Sequence, residues 1–530
     1  MQIVSENWKN AHKQSLLNES YVEISFDVAD PSAIADATPS DNGAIYLSNS
    51  SKLTGEVELS PLPYCTLEQN IWVLDGNRQP IPESDYNSDG YVSDVLSDEM
   101  CVFDKKIPVI TLNFSKKFDT YIPGVTITWS SVYGEFARDF IVRTYLDDTL
   151  LSEIEVIGNT STKSLVMADM VGYNRIVILV KKWCLPHHRA RVEQIFVGMN
   201  KVYSKGELFS YTHSQSVNPL SIALPKNEIK FSISNIDGEF NPYNDESLAK
   251  YLAKRQEINT RYGLKHDDGT IEWIKGGTFY LSEWTAKQNS LTADFTARDL
   301  LEFMSAIYYD SHDLSSRSFY DLAELILRDA DLPPHNDGNV KWVIDESLKS
   351  KYTTAPLPED TLANLLQLIA NASECVIYQN REGILHIEPL RFEETDYSIT
   401  PFNSYTKPEV TLSKPIKQVD VKVYTYSVGD RGIESTSTTV TVPVSASGEI
   451  VTMDNPLITN TATANSLGEW VSTHLSHRMS VDSSWRADVR LDALDIVTNE
   501  NAYNTNKVRM TDVEFKYNGA FRGTGEGKVI

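Results

Sequence analysis

Short stretches of alternating apolar and polar residues, repeated about every ten residues between positions 105 and 200, limit the possible folds more than any other feature of this sequence. Alternation with a period of two is typical of strands that bury one face. Turn pairs such as Pro123-Gly124 and Asp147-Asp148 separate the stretches. The pattern predicts a β-sandwich whose strands contain Ile110, Leu112 and Phe114, then Val125, Ile127 and Trp129, and then residues 139–146, 151–157, 175–181 and 191–198.

Strand patterns continue on both sides of this region, and helical periodicity is confined to a few places. Residues 301–400 combine predicted helices at 318–330 and 361–374 with strands at 375–378 and 384–388. The predicted fold class is therefore mainly β with a smaller α/β part. The other predicted elements are strands at 21–28, 208–214, 223–234, 277–284, 290–297, 419–423, 435–444 and 508–517, helices at 6–19, 247–254, 299–306 and 461–477, and a flexible glycine-rich tail at 518–527.

The charge balance excludes one class of function. The 530 residues include 48 Lys and Arg against 73 Asp and Glu, a formal net charge of −25. Proteins that grip nucleic acid through its phosphates present basic surfaces, so we expect no specific nucleic-acid recognition. An acidic channel through which DNA passes without sticking remains compatible with this charge. Solubility alone would also account for it.

Neither a membrane span nor a disulfide framework is predicted. No apolar run approaches the roughly 18 residues that a spanning helix needs. The first residues lack the basic-then-apolar order of a signal peptide, so we expect assembly in a cytoplasm. Four cysteines with wide, irregular spacing predict buried free thiols: Cys65, Cys101, Cys184 and Cys375.

The run from residue 231 to residue 242 predicts a strand followed by a tight turn. Phe231 and Ile233 would share one face of the strand, with serines on the other. An Asp-Gly pair then favours a turn, and an Asn-Pro pair ends the segment. The residues that define this structural motif are Asn235, Asp237, Gly238, Asn241 and Pro242.

This run resembles a motif of tail-tip proteins from phages that infect Gram-positive bacteria. The order of the segments along the chain, at residues 20–28 and about 205–530, resembles that of the central baseplate hub of tailed phages and related contractile particles. This hub is also called the tail-associated protein. The most specific pieces are 235–242, 277–284 leading to 296–301, 361–388 and 490–497. The resemblance implies β-barrel-like hub domains, an α/β domain and a homotrimeric ring that ends the tail tube. It also implies a place in the virion tail tip beside the distal tail or tail tube protein, the tape measure protein and receptor-binding proteins.

The sandwich region is predicted to be an insertion into the first hub domain. Its strand order resembles the discoidin-like jelly roll of carbohydrate-binding modules, with Gly158-Asn159-Thr160 before an edge strand. That resemblance implies contact with a host cell-wall glycan. Four parts are predicted: a first hub β domain at 1–28 and 201–300, the inserted module at 29–200, an α/β domain at 301–400, and a second hub β domain with the C-terminal tail at 401–530.

Two loops carry candidate chemistry. Asp85, Asn87 and Asp89 mimic the start of a calcium loop, but the twelfth position is Leu96, so a plain Asx-rich turn is the competing interpretation. After Cys184, a cluster of polar residues offers stacking and hydrogen bonds to a sugar, while simple packing of the tryptophan is the alternative. The cluster lacks a second set of ligands at the spacing that zinc requires. Its candidate glycan-binding residues are Trp183, His187, His188 and Arg189.

No enzyme motif is present in the sequence. There is no Gly-x-Ser-x-Gly elbow, His-Glu-x-x-His pair or phosphate-binding loop, so we predict a protein without catalysis or cofactor. Two other interpretations remain open. One is a carbohydrate-active hydrolase with an accessory binding module, since paired carboxylates suffice for glycoside hydrolysis. The other is a peripheral tail adhesin.

Overall fold

A computed structural model describes residues 1–14, 19–29, 31–45, 48–54, 68, 90–119, 122–220, 223–236, 238, 240–241, 243, 255–286, 290–308, 313–333, 340–429, 432–500 and 504–530. The chain divides into two compact units. Unit 1 comprises Met1–Ser25, Val202–Leu332 and Lys341–Ile530, and unit 2 comprises Phe26–Lys201 and Pro333–Val340. The four-part division stays a prediction, and the predicted helix at 247–254 lies outside the described residues.

Strands outnumber helices in the described residues, which confirms the mainly β class. The helices are α1 (Glu6–Lys13), α2 (Pro31–Asp36), α3 (Phe319–Asp329), α4 (Leu362–Ala372) and α5 (Thr461–Ser476), with 3-10 helices at Ser50–Lys52, Leu300–Phe303 and Glu346–Ser350. The strands are β1 (Ser20–Ala29), β2 (Thr38–Asp41), β3 (Tyr91–Leu96), β4 (Val109–Phe118), β5 (Ile122–Thr128), β6 (Ala137–Leu146), β7 (Thr149–Val156), β8 (Lys163–Met170), β9 (Tyr173–Trp183), β10 (Arg189–Val192), β11 (Gln194–Phe196), β12 (Gly198–Tyr203), β13 (Leu208–Ser216), β14 (Lys226–Ser234), β15 (Glu257–Lys265), β16 (Ile271–Ala286), β17 (Thr292–Arg298), β18 (Arg317–Ser318), β19 (Trp342–Ile344), β20 (Tyr352–Thr353), β21 (Cys375–Gln379), β22 (Leu385–Pro389), β23 (Glu394–Ile399), β24 (Glu409–Leu412), β25 (Ile416–Gly429), β26 (Gly432–Pro443), β27 (Glu449–Met453), β28 (Met479–Arg486), β29 (Ile496–Glu500), β30 (Thr505–Met510), β31 (Asp512–Tyr517) and β32 (Phe521–Val529).

One long sheet forms the framework of unit 1. Its strands follow the order β12-β1-β15-β16-β17-β14-β13-β31-β32-β30-β29-β23, and β28 attaches to β32 and carries β24. Strand β13 pairs antiparallel with β14 on one side and with β31 on the other, so Tyr211 lies opposite both Phe231 and Tyr517. The strands from the two predicted hub β regions therefore belong to one continuous open sheet, and no closed barrel is found among the described strands.

The alternation seen in the sequence explains why β14 takes its place in this sheet. Ile229, Phe231 and Ile233 are buried, whereas the intervening residues are less so. The Phe231 ring stacks on Phe295 of the neighbouring β17 with centroids 5.1 Å apart. Such cross-strand aromatic pairs contribute about 0.2–1 kcal/mol each beyond an alanine pair. They help to fix the register of β14.

The predicted flexible tail at 518–527 is wrong, because Phe521–Val529 forms β32 inside the long sheet. The glycines of this segment serve close packing. A Cβ atom at Gly523 would lie 2.8 Å from the buried Trp485 ring, and one at Gly525 would lie 2.2 Å from the Asp512 carbonyl oxygen. Glycine in a strand often marks such a close approach. Regularly spaced glycines here indicate a crowded strand and not the predicted flexible tail.

The α/β part is organised around one hydrophobic core that contains residues of α3, α4, α5, β21, β22 and β25. Ser318 caps α3 by accepting from the Asp321 N–H, and Thr361 caps α4 by accepting from the Asn364 N–H. The helix predicted at 299–306 is only the 3-10 helix Leu300–Phe303, whose first turn is capped by Asp299. Strands β19 and β22 pair in parallel, and β21 pairs antiparallel with β22.

Unit 2 contains a five-stranded antiparallel sheet with the order β2-β4-β9-β6-β7 and a three-stranded sheet with the order β11-β5-β8. Both sheets contribute to one core. At its centre the Trp129 ring meets Phe140 edge to face with centroids 4.9 Å apart. The inward residues are those predicted from alternation, including Ile110, Leu112 and Ile127. The jelly-roll topology stays a prediction.

Three of the four cysteines lie among the described residues and are free thiols. Cys375 is buried, whereas Cys101 and Cys184 are partly exposed. Burial raises the pKa of the Cys184 and Cys375 thiols to about 11, so both are held as neutral thiols at pH 7. Cys65 lies outside the described residues.

Candidate functional site

The predicted glycan-binding loop connects β9 to β10 in unit 2, and two of its residues point inward. Trp183 and His188 are 0% and 3% exposed. The Trp183 indole N–H donates to Glu135 Oε2 at 2.7 Å, and His188 Nδ1 lies 2.9 Å from Glu135 Oε1. Of the two interpretations of Trp183, burial favours packing in the core.

The other two predicted residues differ in exposure. His187 is exposed and has a left-handed backbone with φ of 58°. The Arg189 side chain is 23% exposed, and its Nη1 donates to the Ser93 carbonyl oxygen at 2.9 Å. The four residues therefore do not form one exposed cluster. Glycan binding by this loop stays a prediction, and His187 is its most accessible member.

A buried ion cluster beneath the loop was missed by the sequence analysis. Arg191 is 0% exposed, and its Nη1 donates to Glu68 Oε2 at 2.8 Å and lies 3.7 Å from Glu135 Oε2. Glu68 also accepts from the Arg189 backbone N–H at 2.9 Å. Buried charges are tolerated when they are paired and hydrogen-bonded, as they are here. The cluster connects three distant stretches of the sequence, and its contacts hold the loop in place.

The structural motif in unit 1 forms a hydrogen-bonded turn after β14. Asn235 is buried, and its side-chain oxygen accepts from the Phe240 N–H at 2.9 Å. Gly238 has φ of 69° and donates to the Asn235 carbonyl oxygen, and Asn241 donates to the Gly238 carbonyl oxygen. These contacts give the motif a structural part within unit 1. Asp237 and Pro242 lie outside the described residues.

The calcium candidates Asp85, Asn87 and Asp89 also lie outside the described residues. Two nearby carboxylates that might have completed such a site have other partners. Asp94 pairs with Lys106 at 2.8 Å, and Asp98 accepts from the backbone N–H groups of a turn. Within the described ranges, no group of three or more His, Cys, Asp or Glu side chains is arranged to hold a metal ion.

The most connected buried charge of unit 1 is Arg381, in the turn between β21 and β22. Its Nε donates to Asp492 Oδ1 at 2.8 Å, and its Nη1 donates to the Lys275 carbonyl oxygen at 3.0 Å. Its Nη2 donates to the Val489 and Leu491 carbonyl oxygens at 2.7 and 3.1 Å. The guanidinium therefore joins the α/β part to β16 and to the segment that precedes β29.

A cavity of 360 Å³ lies beside Arg381 within unit 1. Two of the carboxylates that line it are paired with arginines. Glu388 pairs with Arg391 at 2.8 Å and accepts from the Tyr378 hydroxyl at 2.6 Å. The Asp492 carboxylate is held by Arg381. Glu388 and Asp492 thus act as partners of arginines, which is a structural use of charge.

A buried histidine next to this cavity gives unit 1 a defined pH dependence. His213 Nε2 lies 2.8 Å from Asn227 Oδ1, and its Nδ1 lies 2.9 Å from the Tyr262 hydroxyl. Neutral imidazole satisfies both partners, with Nε2–H donating and Nδ1 accepting. Burial lowers the pKa of His213 from 6.5 to about 4. The stabilising contribution of the neutral ring is therefore complete above pH 6.5 and is lost as the pH falls toward 4.

We expect His213→Gln to remove the rise in stability that His213 contributes between pH 4 and pH 6.5, because glutamine can donate to Asn227 and accept from Tyr262 without taking up a proton. Urea unfolding of both proteins between pH 4 and pH 6.5 measures the difference. Asp299, whose pKa burial raises to about 7, contributes the opposite slope equally to both proteins. Parallel curves for the two proteins would contradict the assignment.

None of the helices in the described part of the chain combines the length and the apolar character needed to cross a membrane.

No family model matches the sequence, and no curated protein matches it. Solved structures do show similarity. The 43 kDa tail protein of prophage MuSo2 from Shewanella oneidensis is 11% identical with a TM-score of 0.42, and the match covers 62% of this chain and 95% of that one. Prophage tail protein gp18 from Listeria monocytogenes EGD-e is 11% identical with a TM-score of 0.39, covering 63% and 91%.

A third similar chain is the E. coli c3393 protein, a component of the type VI secretion system with structural similarity to the T4 bacteriophage tail proteins gp27 and gp5. It is 9% identical with a TM-score of 0.34, and the match covers 61% of this chain and 74% of that one. With identities of 9–11% and TM-scores no higher than 0.42, these three similarities leave the function to be inferred from the chain's own residues.

Proposed function

We propose that this protein is a structural component of a phage tail tip, a baseplate hub that closes the tail tube. The observation that carries the proposal is the continuous sheet of unit 1. Strand β1, from the N-terminal segment, lies between β12 and β15, and β13 joins β14 to β31 near the C-terminus. The segments whose order resembles that of a hub therefore belong to one sheet. Residues 26–201, which belong to unit 2, are inserted between them in the sequence.

The continuous hydrogen bonding of this sheet suits a protein that forms the wall of a hub. Inter-strand hydrogen bonds run without a break across the sheet, and the buried Arg381, paired with the partly exposed Asp492, ties the α/β part to it. A hub wall must keep its shape when neighbouring tail proteins attach, and a continuous sheet resists local opening. The partners proposed are other copies of this chain, the distal tail or tail tube protein, the tape measure protein and receptor-binding proteins. The place of action is the virion tail tip, after assembly in the host cytoplasm.

The oligomeric part of the proposal has a direct measurement. Light scattering of the purified full chain is expected to give three times the 59.6 kDa monomer mass at high protein concentration. Closed rings of identical subunits need heterologous interfaces, so the three-fold species should form without larger open polymers. A monomer at every concentration, in solution and in the presence of the tail tube protein, would contradict the homotrimer.

Unit 2 is proposed to contribute host attachment by binding a cell-wall glycan. The exposed His187 supports this proposal, because it lies on the loop between β9 and β10, and loops on a rigid scaffold commonly carry binding residues. Full-length protein is expected to sediment with purified host walls, and His187→Ala should weaken that binding about tenfold. Lys516→Gln in unit 1 serves as the control. If all three proteins sediment equally, His187 does not take part in glycan binding.

A further inference from the structure

A groove in unit 1 gathers nitrogen-bearing side chains. It lies where the end of α5 approaches β30 and β32, and its cavity volume is 360 Å³, within the range of ligand pockets. The residues that line it include His474, His477, Arg509 and Lys528, together with apolar Leu475. We call it the Arg509 groove.

Arg509 is a buried cation that lacks a counter-ion in the described part of the chain. It is 4% exposed, and it forms no ion pair within 4.0 Å of a described carboxylate. Its Nη2 donates to the Arg391 carbonyl oxygen at 2.9 Å, and its guanidinium lies 4.6 Å from the Phe392 ring centroid. Its Nε is buried without a hydrogen-bond partner. A buried charge left in this state is destabilising unless another group compensates it.

A second cation lies directly across from Arg509. Strands β30 and β32 pair antiparallel with Arg509 opposite Lys528, so the two side chains share one face of the sheet. Like charges in directly opposite positions repel each other. Lys528 is half-buried and also lacks an ion pair among the described residues. An anion between the two side chains would turn this repulsion into two attractions.

His474 favours a ligand that can donate a hydrogen bond to its ring. Its Nδ1 lies 2.8 Å from the Trp470 carbonyl oxygen, to which it donates, and Nε2 is then the acceptor of the neutral ring. Burial lowers the pKa of His474, and the charges of Arg509, His477 and Lys528 lower it further. A ligand oxygen that carries a proton can donate to Nε2. Phosphate monoanion has such a proton, whereas an ionised carboxylate has none.

Two carboxylate side chains also line the groove, and neither forms an ion pair with Arg509 or Lys528 within 4.0 Å. Asp512 accepts from the Thr511 hydroxyl at 2.9 Å. Glu526 is exposed, where solvent and salt screen its charge. The buried end of the groove, next to Arg509, is therefore the cationic end.

We propose that the Arg509 groove binds a phosphate group. Arg509 and Lys528 supply the compensating charges, His474 accepts a hydrogen bond from a protonated phosphate oxygen, and Leu475 packs against any apolar part of the ligand. Guanidinium and ammonium groups are the side chains that most often hold phosphate. This inference does not depend on the proposed tail-tip function.

Calorimetric titration of the full chain tests the site, with inorganic phosphate as one probe and glycerol phosphate, a monoester, as the other. We expect saturable binding of inorganic phosphate, weakened about tenfold or more by Arg509→Gln and by Lys528→Gln. Lys516→Gln, on the neighbouring β31 and paired with Glu514, should bind like the unchanged protein. In phosphate-free buffer Arg509→Gln should unfold no earlier than the unchanged protein, because it removes an uncompensated charge. If Arg509→Gln fails to fold, the half-exposed Lys528 still provides the test.

The two probes distinguish the source of the phosphate. Tighter binding of the monoester would assign the groove to a phosphate within a larger molecule, and tighter binding of inorganic phosphate would assign it to the free ion. NMR titration of His474 should show its pKa rising when phosphate is added. The proposal is overturned if neither probe binds saturably, if Lys528→Gln and Lys516→Gln weaken binding equally, or if a poly-glutamate peptide binds the groove and phosphate does not.

Discussion

Arg381→Met is expected to lower the free energy of unfolding of unit 1 by about 3–5 kcal/mol, the range found when one partner of a buried pair is removed. The change leaves the Asp492 carboxylate without its cation. It also leaves three carbonyl oxygens, of Lys275, Val489 and Leu491, without their donor. Urea unfolding and calorimetry of the full chain measure the loss.

Two further variants separate charge from geometry at this position. Arg381→Lys keeps the charge but cannot reproduce the planar fork of donors, so we expect an intermediate loss. Arg328→Met is the matched control, because its side chain is 70% exposed and pairs only with Glu324 one helical turn away. Such exposed pairs contribute at most about 0.5 kcal/mol. If Arg381→Met is no more destabilising than Arg328→Met, the buried network does not hold unit 1 together.

Arg191→Met is expected to destabilise unit 2 by a similar amount, about 3–5 kcal/mol. Its guanidinium lies between Glu68 and Glu135, and all three side chains are at most 4% exposed. Removing the cation leaves two carboxylates close together in the interior, where neither is well solvated. Thermal and urea unfolding of the full chain, monitored through the tryptophans of unit 2, measure the effect.

A double variant tests whether the unpaired Glu68 carboxylate accounts for the loss of stability in Arg191→Met. Arg191→Met combined with Glu68→Leu should recover a large part of the lost stability, because a buried pair replaced by apolar residues of similar size is often neutral. Arg143→Met, which removes an exposed pair with Glu153 in the same unit, is the control. A double variant that is less stable than Arg191→Met alone would show that Glu68 does not depend on Arg191.

The sequence predicted local features well because they depend on nearby residues. The helices predicted at 318–330 and 361–374 correspond closely to Phe319–Asp329 and Leu362–Ala372, since cap residues and apolar spacing mark both ends. Alternation at residues 229–233 identified a strand of the long sheet correctly. These patterns determine which face of an element is buried, which is enough to assign the fold class.

Features that depend on distant parts of the chain were not predictable. Glu68, Glu135 and Arg191 form one cluster only after three separated segments fold together. Arg509 and Lys528 become neighbours through the register of β30 and β32, which no local pattern specifies. The glycines of β32 resembled a flexible tail because glycine lowers strand propensity, although crowding by Trp485, Asp512 and Val508 requires Gly523, Gly525 and Gly527. Trp183 resembled a sugar platform because the sequence does not reveal its burial.

The central claim, that this chain closes a tail tube as a hub, is tested most directly by electron cryomicroscopy of the tail tip that contains it. The account predicts three copies around the tail axis, with the long sheet of unit 1 in the wall of the channel. Copies found only at the periphery of the tail, away from the axis, would contradict the hub and favour an adhesin.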